Sequence, residues 1–337
     1  MKAAVLHELR KPLAVEEVER PRPGENEVLI KVEACGVCHS DLHIVDGDWK
    51  QFGGITKIPL VPGHEVAGRV AEVGSGVRDL KPGDRVGVPW IFWTCGECEF
   101  CREGNENLCV KQKITGLTVD GGYAEYIKAP ATHATRIPGP ISSAQAAPLF
   151  CAGVTVYRAI KKAHLAAGQR LAVFGVGGLG HLAIQICKHL GAEVTAVDVA
   201  EDKLALASSL GAARTLNSDS ANVVKEIRRA GGMHVILVTS GAKAAYDTAF
   251  PCLRPTGRLL VVGLPAEICF PPIMMAAGEV HIQASAVGTR QDLAEVLDMA
   301  AAGKLHCQVA TRPLADANAV LDEMRTGKIS GRVVLTM

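Results

Sequence analysis

Residues 170–190 read Arg170-Leu-Ala-Val-Phe174-Gly175-Val-Gly177-Gly178-Leu179-Gly180-His-Leu-Ala-Ile-Gln-Ile-Cys-Lys-His-Leu190. An apolar run leads into G-x-G-x-x-G, and Leu182, Ala183, Ile186, Cys187 and Leu190 follow at helical spacing. Strand, glycine turn and helix together give the motif its meaning. The glycines permit a tight turn and close approach of backbone to a pyrophosphate, and the helix start offers free N–H groups and a partial positive charge. Asp198 lies at the end of the next apolar run, 18 residues after Gly180. A carboxylate there accepts hydrogen bonds from both ribose hydroxyls of NAD and repels the 2′-phosphate of NADP, and Val199 and Ala200 supply no neighbouring cation. Gly175, Gly177, Gly178, Leu179, Gly180 and Asp198 are therefore expected to hold NAD. The bland alternative, a glycine-rich helix start and an ordinary strand-end Asp, requires every part to fall in register by chance.

Outward from this stretch the chain has two textures. Up to about Ile137 it reads as short strands broken by Gly and Pro, at 28–32, 65–73, 85–88 and 123–127, which suits an antiparallel or barrel-like domain. From Ser142, followed three residues later by Gln145, a helical stretch interrupted at Pro148 runs to about 163. Strands at 170–174, 194–199, 234–238, 258–262 and 280–286 then alternate with helices near 201–210, 221–229 and 242–253. That alternation is the pattern of a parallel sheet covered on both faces. The tail from Thr289 carries two helical stretches and a last strand at 331–335.

The 337 residues suit two domains, with 48% hydrophobic and 21% charged residues. A net charge of +1 and 4% aromatic residues argue against nucleic acid or an acidic membrane as a partner. Glu8 and Arg10 interrupt the N-terminal stretch before a signal peptide could form, and the uncharged run 137–157 contains Pro138, Pro140 and Pro148, unlike a membrane helix. A cytoplasmic location is the default.

Of eleven cysteines, four fall in Cys95-x2-Cys98-x2-Cys101-x7-Cys109. Four thiolates at this spacing can wrap one zinc in a closed tetrahedron, leaving no open position, so the role is structural. An iron–sulfur cluster uses the same ligand type. Glu97, Glu99, Arg102 and Glu103 make the segment a polar loop, in which four cysteines packing as hydrophobes would be out of place. Cys38, His64-Glu65 and Cys151 are also suited to metal, but they are scattered. Spacing cannot group them, and buried thiols or a strand histidine explain each one equally well.

Taken in order, Cys35-Gly-Val-Cys38-His39-Ser40-Asp41-Leu-His43, Pro62-Gly63-His64-Glu65, the four-cysteine run, Gly121-Gly122-Tyr123-Ala124-Glu125, Cys151-Ala-Gly-Val-Thr155-Val-Tyr157 and the glycine turn cover essentially the whole chain. The set resembles the zinc-containing medium-chain alcohol dehydrogenases, especially their bacterial and yeast tetrameric branch. The resemblance implies an α/β fold: a GroES-like, mostly-β catalytic domain over 1–148 and 287–337 carrying both zinc sites, and a Rossmann doubly wound parallel-sheet NAD-binding domain over 149–286. It implies that Cys38, His64 and Cys151 ligate a catalytic zinc, that Glu65 enters its shell transiently, and that Asp41 orients His64. Ser40 and His43 match a proton relay through a cofactor ribose hydroxyl. His39 and Arg332 match pyrophosphate contacts, Lys203 an adenosine-ribose contact, and Thr155 and the backbone of Val262 the nicotinamide pocket.

The implied activity is reversible hydride transfer between a primary alcohol and NAD, with two zinc ions per chain, in a homotetramer whose partner is a small alcohol or aldehyde. Trp49 and Trp90 match positions that narrow the substrate pocket, although both also read as core or lid aromatics. Ile91-Phe92-Trp93 departs from the family pattern and bears on chain-length preference. A secondary-alcohol or polyol dehydrogenase is the first alternative. A zinc-free reductase or binding protein on the same scaffold is the second.

Overall fold

A computed structural model describes residues 1–49 and 54–337. The chain forms two compact units. The first contains Met1–Cys151, Thr289–Ala302 and Cys307–Met337, and the second contains Ala152–Gly288 and Gly303–His306.

The second unit is built on six parallel strands in the order Arg214–Asn217, Glu193–Asp198, Arg170–Phe174, Met233–Val238, Leu253–Val261, His281–Ala284. In chain order within this unit that is 3-2-1-4-5-6, the dinucleotide-binding arrangement, with the order reversing beside Arg170–Phe174. Leu171, Ala172, Val173 and Phe174 are all buried, as expected of a central strand covered on both faces. The glycine turn follows this strand directly and opens the helix Gly180–His189. Arg214–Asn217 has too little apolar character to read as a strand from sequence; the register of Thr195 against Arg214 and Asp198 against Asn217 places it there.

The first unit is organised by a seven-stranded, mostly antiparallel sheet. Along its main path run Val309–Pro313, Arg332–Thr336, Glu27–Gly36, Glu65–Val73, Arg85–Val88 and Thr135–Arg136, and Tyr126–Pro130 also pairs with Glu27–Gly36. Glu27–Gly36 is the hub: Gly36 lies opposite Glu65 on one side and Val334 on the other. The strand expected at 123–127 instead begins at Tyr126, because the backbone just before it is engaged elsewhere. Tyr123 N–H donates to Pro62 O and Glu125 N–H to Lys2 O. Ser142 caps the helix Ser143–Ala146 by accepting from Gln145 N–H. A 3-10 turn with Pro148, Ala147–Phe150, then separates that helix from Ala152–Lys162. Cys151 is the joint between them, with φ −132° and ψ −71°.

Candidate functional site

In the first unit, three segments bring their functional side chains to one end of the sheet. Cys38 follows the strand Glu27–Gly36 and forms the N-cap of the helix His39–Asp46. His64 precedes, and Glu65 begins, the strand Glu65–Val73. Cys151 comes from the joint after the 3-10 turn. One donor atom from each of Cys38, His64, Glu65 and Cys151 falls within 4.8 Å of the others, and all four residues are buried. The scattered set is thus a cluster that only the fold assembles. Gly36 makes room for it: a Cβ there would lie 1.8 Å from Glu65 Oε2.

The electrostatics of the cluster are those of a cation site. Asp41 is fully buried, and its Oδ1 accepts from His64 Nδ1 at 2.9 Å. With Nδ1 engaged by Asp41, the neutral ring would present its Nε2 lone pair to the cluster, where this fully buried atom makes no hydrogen bond of normal geometry. Burial opposes protonation of His64, but the Asp41 charge outweighs it and holds the imidazole well above its ordinary range. The hydrogen bond from Cys151 holds the Cys38 thiol well below its ordinary range. The same bond and burial push Cys151 up. Burial raises Glu65 to about 7 against the pull of Arg332. An orphaned imidazole nitrogen, two adjoining sulfurs and a carboxylate are the donor chemistry of zinc with one open position.

Arg332 enters this cluster from the last strand. Its buried guanidinium pairs with Glu65 Oε1, while its Nε is buried without a protein acceptor. Ser40 and His43 lie on the helix that Cys38 caps, with His43 Nδ1 3.1 Å from Asp48 Oδ2. His39, the first residue of that helix, is exposed. Trp90 stands edge-on to His64 with ring centroids 4.8 Å apart, and Trp49 packs against Trp90 at 6.0 Å and against His43 at 5.5 Å. Both tryptophans therefore flank the cluster. Sequence reasoning gave Tyr123 no role, yet its hydroxyl donates to Asp41 Oδ2 at 3.1 Å.

The second cluster in this unit is local in sequence. Cys95, Cys98, Cys101 and Cys109 also bring their sulfurs within 4.8 Å of one another. Cys98–Cys101 and Cys95–Cys109 are 3.5 Å apart and Cys95–Cys101 4.0 Å, with no disulfide. A tetrahedron with zinc–sulfur bonds of about 2.3 Å has edges of roughly 3.8 Å. The sulfurs fit one ion and are too close together for a cluster of several irons. Backbone N–H groups of Cys95 and Cys98 point at Cys109 and Cys95 sulfurs respectively, both at 3.4 Å. Arg290 pairs with Glu106 inside the loop, and buried His133 hydrogen-bonds Thr94 beside Cys95.

In the second unit the turn has the form its glycines require. Gly175 has φ +94°, and a Cβ on Gly180 would lie 1.9 Å from Gly175 O. A Cβ on Gly177 would meet nothing within 4 Å, so this part of the turn is open to a ligand. Leu179 occupies the N-cap and supplies no side-chain cap; the N–H groups of His181 and Leu182 donate to Gly177 O and Leu179 O, so the N–H groups facing a ligand are those of the glycine turn itself. Asp198 ends its strand and already accepts from three backbone N–H groups: Val176 at 2.7 Å on Oδ2, and Val199 at 2.8 Å and Ala200 at 3.1 Å on Oδ1. Lys203 lies on the following helix, Glu201–Ser209. Thr155, on Ala152–Lys162, has a buried hydroxyl oxygen with no protein partner, and Val262 follows Leu253–Val261 with its N–H on Val238 O. The turn, its uncapped helix and the Asp198 carboxylate fit a dinucleotide.

Comparison with known proteins bears on both units. The family model described as alcohol dehydrogenase GroES-like domain matches residues 24–139, and the one described as zinc-binding dehydrogenase matches residues 178–302. An alcohol dehydrogenase of Geobacillus stearothermophilus is 47% identical over 99% of both chains. Among solved structures, the alcohol dehydrogenase of the hyperthermophilic archaeon Aeropyrum pernix superposes with a TM-score of 0.94 at 38% identity, covering 100% of each chain. The acetophenone reductase of Geotrichum candidum, solved in complex with NAD, gives 0.90 at 32% identity, covering 100% of this chain and 97% of that one.

Proposed function

The chain belongs to the zinc-containing medium-chain alcohol dehydrogenase family, and from that premise we propose that it interconverts primary alcohols and aldehydes at a zinc ion held by Cys38, His64 and Cys151, with NAD as hydride acceptor. The observation that carries the reading is His64 Nε2, buried without a hydrogen bond in a residue whose donor atom clusters within 4.8 Å of those of Cys38 and Cys151. When bound, zinc supplies a Lewis acid that lowers the pKa of an alcohol hydroxyl, and NAD supplies the carbon that accepts hydride.

This chain's own groups do the rest. Asp41 fixes the His64 tautomer so that Nε2, not Nδ1, is the ligand. Glu65, neutralised by Arg332, adds a movable carboxylate beside the three ligands without leaving an unpaired buried charge. Ser40 Oγ takes the proton from the alcohol, and the half-buried His43 delivers it to water. Cys95, Cys98, Cys101 and Cys109 hold a second, structural zinc. The glycine turn and Asp198 hold the pyrophosphate and adenosine ribose, with His39, Lys203, Thr155, Val262 and the free Nε of Arg332 as further cofactor contacts. Domains at 1–148 with 287–337 and at 149–286 divide this work between catalysis and cofactor binding. Trp49 and Trp90 narrow the approach to His64 and favour slim primary alcohols.

A secondary alcohol as substrate is the second reading, favoured by the likeness to a ketone reductase. Zinc analysis together with NAD-linked rates on ethanol, benzyl alcohol, 2-propanol and sorbitol separates the two. Two zincs per chain and highest kcat/KM on the primary alcohols are expected; a marked preference for 2-propanol or sorbitol would overturn the substrate class. Asp198→Ala should weaken NAD about tenfold, the scale of a lost charged hydrogen bond, with a smaller effect on NADP. Equal losses for both cofactors would remove that role. A cytoplasmic homotetramer completes the reading, and light scattering tests the assembly. Among the described residues no helix is long and apolar enough to cross a membrane.

A further inference from the structure

The segment Gly121-Gly122-Tyr123 is bound tightly to Val61-Pro62-Gly63, immediately before His64. Gly121 N–H donates to Val61 O at 2.6 Å, Gly122 N–H to Gly63 O at 2.8 Å, and Tyr123 N–H to Pro62 O at 3.0 Å. Only glycine allows this approach: a Cβ on Gly121 would lie 2.1 Å from Gly63 O, and one on Gly63, where φ is +97°, would lie 2.4 Å from the Tyr123 ring. The outcome is a fully buried tyrosine whose hydroxyl reaches Asp41.

Asp41 is saturated. Oδ1 accepts from His64 Nδ1 at 2.9 Å and Gly63 N–H at 3.2 Å, and Oδ2 accepts from Cys38 N–H at 2.9 Å and Tyr123 O–H at 3.1 Å. A carboxylate has about four lone-pair sites, so two donors on each oxygen fix its plane. That plane sets the direction from which His64 Nδ1–H arrives, and hence where Nε2 points. A ring that only filled the core would need no hydroxyl, and a buried hydroxyl is placed for its partner.

We propose that Tyr123 is a positioning residue for the catalytic zinc, acting through Asp41 on His64. The proposal rests on the reading of Cys38, His64 and Cys151 as that zinc's ligands. Tyr123→Phe keeps the ring and removes only the hydroxyl. In chelator competition on the full chain, with zinc per chain followed by elemental analysis, the variant's catalytic zinc should bind about tenfold more weakly, the low end for an outer partner of a ligand. The four-cysteine zinc should be held as in the wild type, and NADH binding should not change. Adding Tyr123→Phe to Asp41→Asn should weaken zinc no further, because the route through residue 41 is already cut.

Wild-type zinc affinity in Tyr123→Phe, or full additivity with Asp41→Asn, would overturn the proposal. So would joint loss of both zincs or of the fold, which would make Tyr123 a core residue. A wild-type chain that binds one zinc would instead break the ligand reading itself.

Discussion

The four-cysteine loop and the Cys38–His64–Glu65–Cys151 cluster each present four donors in the same unit, and the chain builds them by opposite means. Cys95 to Cys109 is one short stretch whose sulfurs are partly exposed, except for Cys109, and are approached by the loop's own N–H groups. The other cluster draws on segments far apart in the chain, is wholly buried, and is braced by Asp41 and Arg332. In the loop, ion and polypeptide define each other. In the cluster, the sheet fixes the geometry and the ion has only to enter. A closed site formed by a loop suits support; a site formed by a sheet, with its bracing in place and a fourth position left open, suits chemistry.

The largest test of that contrast is Cys38→Ser. It should lower kcat by at least about a thousandfold, since Lewis-acid stabilisation is worth several kcal/mol, while Tm and the loop zinc stay close to wild type. Turnover within tenfold of wild type would break the division of roles. Cys95→Ser should do the reverse. Because zinc binding in a loop is folding free energy, Tm should drop by roughly 5–10 °C, with activity per folded chain largely kept. Lost activity at unchanged Tm would merge the two clusters into one functional site.

The loop's dependence on its surroundings sharpens the comparison through pH. Burial, and then the Arg290 charge, lower His133 from its ordinary 6.5 to about 4. As pH falls from 6.5 to 4 the unfolded chain protonates this histidine first, so stability present above pH 6.5 is lost through that window. The loss is about 3 kcal/mol by linkage. His133→Gln, which keeps an acceptor for Thr94 N–H, should flatten the fall in chemical-denaturation midpoints between those pH values. An identical pH profile in the variant would acquit His133. The smallest effect is expected at the wall of the buried cluster: Trp90→Ala should raise kcat/KM for 2-propanol relative to ethanol about tenfold, the scale of one methylene in a tight pocket. An unchanged ratio would mean that Trp90 braces His64 without selecting substrate.

The same contrast explains what could be read from sequence. The loop and the glycine turn were legible because their chemistry is local. Cys95, Cys98, Cys101 and Cys109 have metal-ligand spacing, and Gly175 to Gly180 follow an apolar strand. Cys38, His64 and Cys151 could be grouped only by resemblance, because what unites them is the register of Gly36 with Glu65 and the joint after Pro148. Neither leaves a periodic trace. Arg332 as the partner of Glu65 was out of reach for the same reason: Val334 opposite Gly36 is a pairing across some three hundred residues. Tyr123 carried a signal, since a Gly-Gly-aromatic step implies close backbone approach. The sequence held no hint that its hydroxyl would meet Asp41.

The pairing of Arg332–Thr336 with Glu27–Gly36 also bears on synthesis. As the chain leaves the ribosome, the hub strand and Glu65 emerge early, and everything from Ala152 to Gly288 follows before the strand that completes the sheet. Until that strand arrives, Cys35 and Gly36 lack a neighbour on one side, and the carboxylate of Glu65 lacks its counter-charge. The second unit can fold whole in that interval. The buried cluster is therefore completed last, although its first donor, Cys38, is made among the first forty residues. A nascent chain stalled before Arg332 would carry a finished glycine turn and an open-edged sheet, the form of this protein most exposed to chaperones and to misassembly.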